Sequence, residues 1–141
     1  AEPVLLDRAH DLGRRLLNAF DAQPACPPCR SVVPMASVNL KTGVASHPAE
    51  LGDAAWLSEV ASIQLEFRKL AFHTGLAAFD YYPQRVMHAL LPHLDSRDGA
   101  LFPLQIERVT VKPIDASGIT LGARGDSFVE YLAKQAALDD W

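Results

Sequence analysis

The sequence has few cysteines, no run of basic residues and no long apolar segment. Its 13 Lys and Arg residues stand against 17 Asp and Glu residues, which gives a formal net charge of −4. A nucleic-acid surface normally shows a basic patch, and crossing a bilayer takes roughly 20 consecutive apolar residues. Neither feature is present, and no charged-then-apolar signal segment begins the chain. The sequence therefore favours a neutral or cationic ligand and predicts no membrane span within this segment.

The two cysteines, Cys26 and Cys29, form a CxxC motif with proline at both intervening positions. A zinc site needs two more nitrogen or sulfur ligands, and a redox site usually lies at a helix start within a βαβ unit. Neither context is visible in the sequence. We expect a local disulfide or two free thiols in a loop, and catalysis by these cysteines is the less favoured alternative.

The composition is that of a soluble domain with a single core. The chain has 141 residues, of which 49% are hydrophobic and 21% charged, and we expect no internal domain boundary. Proline and glycine concentrate in residues 24–34, 41–52 and 92–125, which predicts long loops, and long loops are often functional. Because the chain opens with Ala1-Glu2-Pro3 and not with Met, we expect it to be a piece of a longer protein.

Apolar residues at helical spacing predict an all-α fold of paired helices. The four predicted helices cover about residues 2–20, 54–72, 83–94 and 127–138. We expect the first to be a core helix with one solvated face, and the second to be capped by Asp53 and ended by Gly75. A turn is expected at residues 40–43, and a short irregular β-hairpin within residues 101–121.

Two glutamates lie on the second predicted helix. Glu59 and Glu66 are seven residues apart, which returns to nearly the same side of a helix after two turns, about 10.5 Å along its axis. They can form an ordinary solvated face, with Glu66 near Lys69. They can also line a cavity, because both are flanked by apolar residues. The spacing alone leaves both alternatives open.

The segment before the fourth predicted helix concentrates charged residues around Gly125. Arg124 and Asp126 flank this glycine, and Ser127 with Glu130 reads as a capping box. Asp126 at a helix start is stabilised as the anion, which suits a group that acts as a base or positions a water. Taken locally, helix capping is the simpler explanation of these side chains.

Two longer motifs are more specific. SEVASIQLEFRKLAFHTG (residues 58–75) and TLGARGDSFVEYLAKQ (residues 120–135) resemble signature segments of the class I α-mannosidases, glycoside hydrolase family 47. DLGRRLLNAF (residues 11–20) and SVNLKTGVA (residues 37–45) resemble the same family in the same order. The resemblance implies part of an (αα)7 barrel, or toroid, of which this chain supplies two or three hairpins. It also implies inverting, Ca²⁺-dependent removal of α-1,2-linked mannose from high-mannose N-glycans.

The resemblance assigns roles residue by residue. Asp126 matches one of the family's three catalytic carboxylic acids, and Arg124 matches an arginine that contacts the substrate sugar. Glu59 and Glu66 match acidic residues of the pocket wall, and Glu130 matches another acidic position of the motif. The family's other two catalytic glutamates and its calcium-binding threonine have no match. We therefore expect no metal ligand in this segment, and no activity from the segment alone.

The resemblance also implies a location and leaves alternatives. The parent protein is expected in the lumen of the endoplasmic reticulum or Golgi, and a type II membrane topology of the parent is compatible with this location. One alternative function is a degradation-enhancing, lectin-like protein that binds mannose with little hydrolysis. Another is a helical repeat domain that binds protein partners, although repeat packing does not require acids at the motif positions.

Overall fold

A computed structural model describes residues 2–21, 31–95 and 101–139. Cys26 and Cys29 lie outside the described residues. The helices are α1 (Pro3–Leu16), α2 (Asn18–Asp21), α3 (Leu57–Val60), α4 (Gln64–Thr74), α5 (Ala78–Asp95) and α6 (Asp126–Asp139). The strands are β1 (Ser37–Val38), β2 (Ala45–Ser46), β3 (Ala54–Trp56) and β4 (Gln105–Glu107). The fold is mostly helical, as predicted, with two small antiparallel sheets.

The first predicted helix is present but shorter, and its apolar stripe is largely uncovered. The helix ends at Leu16, and the short α2 follows. Gly13 is its buried residue, because the side chains of Leu70 and Phe79 lie where a Cβ at this position would stand. Leu5 remains 64% exposed. The prediction of a core helix was therefore wrong for most of α1 within the described residues.

The second predicted helix is interrupted. Residues 54–56 form β3, α3 covers four residues, and α4 begins at Gln64. Asp53 precedes a strand, and its carbonyl accepts the Arg108 N–H at 2.8 Å. The single long helix and its Asp53 cap were thus wrong, because periodicity does not register pairing with a distant strand. The end was right: Gly75 has φ 71° and its N–H donates to the Ala71 carbonyl at 2.8 Å.

Gln64 stabilises the interruption between α3 and α4. Its buried side-chain amide accepts the Ile63 N–H at 3.0 Å and donates to the Val60 carbonyl at 3.1 Å and the Pro83 carbonyl at 3.4 Å. These bonds satisfy backbone groups at the point where regular helical bonds stop. The same side chain therefore joins the break to α5.

The third predicted helix begins five residues earlier than expected. Helix α5 starts at Ala78 and contains both Pro83 and Pro92. Proline is favoured in the first helical turn, so the sequence pattern placed the start at Pro83. Packing overrides that preference, because Pro83, Val86 and Leu90 of α5 are fully buried. The fourth helix, α6, agrees with the prediction within one residue at each end.

The strands correct the predicted hairpin. Strand β4 pairs with β3, with Ala54 opposite Glu107 and Trp56 opposite Gln105. The chain turns after β4 so that Ile106 bridges Pro113, and residues 119–121 form no strand. The expected turn at residues 40–43 is confirmed, since it joins the antiparallel β1 and β2.

The core lies where α3, the β3–β4 pair, α5 and α6 meet. Its largest members are Leu57, Leu90, Ile106, Phe102 and Phe128. Phe102 and Phe128 pack with ring centroids 6.0 Å apart, which fixes the start of α6 against the sheet. Among the described residues, no helix combines the length and apolar character needed to cross a membrane.

Candidate active site

The loop before α6 places Arg124 and Asp126. The Gly122 N–H donates to the Thr120 hydroxyl at 2.9 Å, and the Gly122 carbonyl accepts the N–H groups of both Gly125 and Asp126 at 2.9 Å. Arg124 adopts φ 70°, a left-handed conformation that is uncommon for residues other than glycine. This tight turn directs the chain into α6 immediately after Arg124.

Asp126 is the first residue of α6 and is exposed. Its Oδ1 accepts the N–H of Ser127 at 2.8 Å. Asp126 therefore presents a solvent-facing carboxyl group at the start of a helix.

The Arg124 side chain reaches α3. Its Nη1 lies 3.8 Å from Oε1 of Glu59, and its guanidinium carbon lies 3.9 Å from the centroid of the Trp56 ring. Arg124 and Glu59 are each about half exposed, at 51% and 53% of their side-chain surface. The structure thus brings together two residues assigned by the sequence, together with a tryptophan that was not assigned.

A cavity of about 450 Å³ opens beside this group. Its lining comes from the β1 region, the segment before β3, the β3–α3 junction and the loop before α6. The lining residues are Ala36, Ser37, Pro48, Glu50, Leu51, Trp56, Glu59 and Arg124. Two carboxylates, one guanidinium and a hydroxyl around one aromatic ring are groups that bind a neutral ligand rich in hydroxyls.

Glu66 makes a separate connection to α6. Its Oε1 accepts the hydroxyl of Tyr131 at 2.7 Å. This hydrogen bond, with some burial and the nearby negative charge of Glu66 and Glu130, raises the pKa of Tyr131 to about 12. Glu59 therefore contacts Arg124 and Glu66 contacts Tyr131, two different residues of the same C-terminal segment.

Glu130 lies further along α6. Its Oε1 accepts from Nζ of Lys134 at 2.6 Å, and both side chains are about half exposed. The Glu130 carboxylate therefore pairs with Lys134, four residues later. The predicted capping box would instead have directed it to the helix entrance. Of the described residues, neither Glu130, Glu66 nor Asp126 lines the cavity beside Arg124.

The sequence motifs did not identify Trp56, Glu50 and Tyr131 as site residues. Trp56 lies two residues before the first long motif, and Tyr131 lies within the second. Glu50 lies in a 3-10 helix, Ala49–Leu51, within a proline- and glycine-rich loop. The loop composition was the only signal for Glu50, and the tertiary contacts were needed to find all three.

Known proteins resemble nearly the whole chain. The family model of glycosyl hydrolase family 47 matches residues 1–140. An endoplasmic reticulum mannosyl-oligosaccharide 1,2-alpha-mannosidase of Mus musculus is 36% identical over 137 residues, which is 95% of this chain and 19% of that protein. The protein of the same name from Saccharomyces cerevisiae is 37% identical over 138 residues, 96% of this chain and 24% of that protein.

A plant relative gives the same result. The mannosyl-oligosaccharide 1,2-alpha-mannosidase MNS3 of Arabidopsis thaliana is 38% identical over 134 residues, 94% of this chain and 20% of that protein. The chain thus spans between about a fifth and a quarter of the length of these curated relatives. The match over residues 1–140 includes both long motifs and the residues around the cavity, and this chain therefore belongs to glycosyl hydrolase family 47.

Proposed function

We propose that the parent protein is an inverting α-1,2-mannosidase that removes terminal α-1,2-linked mannose from high-mannose N-glycans. The observation that carries this proposal is the family match over residues 1–140. The relatives named above are mannosyl-oligosaccharide 1,2-alpha-mannosidases. The cavity beside Arg124 supports it, because its polar groups surround a space suited to a sugar.

Asp126 is proposed as one catalytic carboxylic acid of this reaction. Inverting glycosidases use one acid to protonate the leaving oxygen and a second carboxylate to activate water, with the two carboxyl groups about 6.5–9.5 Å apart. A solvent-facing carboxyl group at the start of α6 is placed to accept a proton from water or to orient it. The other catalytic acids that the family resemblance implies belong to parts of the parent outside this chain.

Arg124 and Glu59 are proposed to bind the substrate sugar from the cavity wall. The guanidinium offers N–H donors to hydroxyl oxygens, and the carboxylate accepts from hydroxyl groups. Glu66 and Glu130 are proposed as further substrate-binding residues, although their present partners are Tyr131 and Lys134. Both would have to exchange those partners for a sugar hydroxyl.

The calcium requirement implied by the family is a separate part of the proposal. Among the described residues, no group of three or more His, Cys, Asp or Glu side chains could hold a metal ion. The described residues therefore present no cluster that fits a calcium site, and none of the steps above passes through calcium. We propose that the parent binds Ca²⁺ through residues outside this chain.

The names of the relatives support a proposal for the cellular location of the parent protein. Those of Mus musculus and Saccharomyces cerevisiae carry the endoplasmic reticulum in their names. We propose that the parent acts in the lumen of the endoplasmic reticulum or Golgi on glycoprotein N-glycans, and that it is held there as a type II membrane protein.

The test is hydrolysis of a high-mannose N-glycan by the full-length protein, with and without a calcium chelator. We expect chelator-sensitive release of mannose, first as the β-anomer. Asp126→Asn should lower turnover by about 10²- to 10⁴-fold, the usual contribution of a positioned acid or base. The fold should survive, because Asn is also a favourable residue at a helix start.

Asp7→Asn, at an exposed position of α1, is the matched control and should retain full turnover. Unchanged turnover of Asp126→Asn would reject its catalytic role. Glycan binding without any mannose release by the wild-type protein would replace the proposed enzyme by a lectin-like, mannose-binding protein.

A further inference from the structure

The contact between Trp56 and Arg124 is closer than the other cation–ring contacts of the described residues. The Arg124 guanidinium carbon lies 3.9 Å from the Trp56 ring centroid. The corresponding distances are 5.2 Å for Lys69 over Phe72 and 5.7 Å for Arg85 over Tyr81. At 3.9 Å the guanidinium is in van der Waals contact with the indole face, which is the stacking geometry that arginine favours.

The backbone of Trp56 is held on both sides. Trp56 pairs with Gln105 in the β3–β4 sheet, and the N–H of the next residue, Leu57, donates to the Leu104 carbonyl at 2.9 Å. Ala55 and Leu57 are buried on either side of it. The backbone that carries the indole is therefore fixed by the sheet, whereas an arginine side chain has many rotamers of its own.

The distance between Arg124 and Glu59 also bears on how the guanidinium is held. At 3.8 Å their closest atoms form an ion pair but exceed hydrogen-bond length. The ring contact occupies one side of the guanidinium. Because the approach to Glu59 is not a hydrogen bond, the N–H group on that side stays available to a ligand oxygen.

We propose that Trp56 is a positioning residue that holds Arg124 open for the substrate sugar. Without the indole face, the guanidinium is free to close onto Glu59 in a hydrogen-bonded pair, which removes both groups from the cavity. This inference rests on the function proposed above for its sugar ligand. It concerns a residue that lies outside both long motifs.

The kinetic test uses the full-length protein with the variants Trp56→Leu and Trp56→Phe. A cation–ring contact at a partly exposed site corresponds to roughly a two- to fivefold effect. We expect Trp56→Leu to raise KM by about this factor with a smaller change in kcat, because ground-state binding is weakened. Trp56→Phe keeps an aromatic ring and should have a KM close to that of the wild-type protein. In an Arg124→Ala background, Trp56→Leu should add nothing.

A matched control removes a comparable contact elsewhere. Tyr81→Leu takes away the exposed ring beneath Arg85, on α5 and outside the cavity lining, and should leave KM unchanged. Three results would each overturn the role of Trp56: an equal loss in Trp56→Phe, a full additional loss in the Arg124→Ala background, or an equal loss in Tyr81→Leu.

A second readout does not depend on activity. Phenylglyoxal modifies arginine side chains, and peptide mapping by mass spectrometry reports its rate at each site. We expect Trp56→Leu to slow modification of Arg124, because its guanidinium nitrogens then pair with Glu59, and Tyr81→Leu to leave it unchanged. An unchanged or faster Arg124 rate in Trp56→Leu rejects the positioning role. Absence of mannose release by the wild-type protein rejects the proposed function, and the two failures are therefore distinguishable.

Discussion

At the scale of single residues, the segment from Arg124 to Asp126 separates two tasks that lie close together in the sequence. Arg124 turns in the left-handed region and sends its side chain to Glu59 and Trp56. Asp126 starts the helix and keeps its carboxylate at the exposed end. A change of backbone direction between neighbouring residues thus lets one side chain line a cavity wall while the other stands at a helix entrance.

Glu59→Gln tests the cavity wall at this scale. The pair with Arg124 is half exposed, so its loss should lower the free energy of unfolding by less than about 1 kcal/mol. Loss of a charged acceptor for a sugar hydroxyl should lower kcat/KM about 10- to 100-fold. Steady-state kinetics and thermal melting of the full-length protein measure the two effects.

Asp11→Asn is the control for that variant. Asp11 pairs with Arg15 at 3.0 Å and similar exposure on α1. It should cost as little stability and leave kcat/KM unchanged. A parallel loss of activity in both variants would assign the effect of Glu59→Gln to general surface charge.

At the scale of elements, the contact between α4 and α6 depends on a hydrogen bond that the sequence did not predict. Tyr131 and Glu66 are 65 residues apart along the chain, and their side chains meet at 2.7 Å. The bond needs a protonated phenol as its donor. It therefore couples the packing of two helices to a proton that is normally lost near pH 10.

The pH dependence of this contact has a definite sign. The folded-state pKa of Tyr131 is raised to about 12, chiefly by the hydrogen bond to Glu66. The stabilisation is fully present below the ordinary tyrosine pKa near 10 and is lost as the pH rises through about 12. Phenolate absorbance of the full-length protein, compared with that of Tyr131→Phe, should show one tyrosine titrating near pH 12.

Glu66→Gln provides the second arm of that measurement. Removing the charged acceptor should return the pKa of Tyr131 toward 10. An unchanged titration in Glu66→Gln would show that the Tyr131–Glu66 bond does not form in solution. The similarly exposed pair of Asp11 with Arg15 on α1 allows Asp11→Asn as a control, which should leave the pKa of Tyr131 high.

The interruption between α3 and α4 makes a second prediction for elements. Gln64 is 1% exposed and donates to carbonyls of Val60 and Pro83. Gln64→Leu keeps the volume but leaves these buried groups without the amide, which should cost about 1–3 kcal/mol. We expect a lower melting temperature. Gln135→Leu, at a partly buried amide that donates to the Tyr131 carbonyl at 3.3 Å, should have a smaller effect.

At the scale of the whole molecule, the apolar stripe of α1 is largely uncovered among the described residues. Val4, Leu5 and Leu12 are 55%, 64% and 44% exposed. If the parent forms the (αα)7 barrel that the family resemblance implies, helices outside this chain would cover this face. The chain spans only about a fifth to a quarter of its relatives, which agrees with an uncovered face here.

The isolated 141-residue chain should therefore self-associate. Exposed apolar surface favours association, and sedimentation velocity should show species larger than a monomer. The double variant Leu5→Glu with Leu12→Glu should shift the distribution toward monomer. Charge added at Asp7→Lys, off the stripe, should not. A wild-type chain that sediments as a monomer at all concentrations would contradict this prediction.

The sequence by itself determined the family, the presence of α1, α5 and α6, the end of α4 at Gly75 and the place of Asp126 at a helix start. These properties depend on neighbouring residues, because apolar spacing, capping and glycine at positive φ act within a few positions along the chain. The family assignment likewise depended on continuous motifs, residues 58–75 and 120–135, that can be read along the chain.

Tertiary structure alone decided how the acids are used. The β3–β4 pairing replaces the start of the predicted helix, and a separate break between Val60 and Gln64 divides the rest, so Glu59 and Glu66 lie on different helices. Glu59 turns to Arg124 and Glu66 to Tyr131. Contacts between segments so far apart depend on the packing of the whole core, and local patterns carry no information about them. For this reason Trp56 was identified as a site residue only from its contact with Arg124.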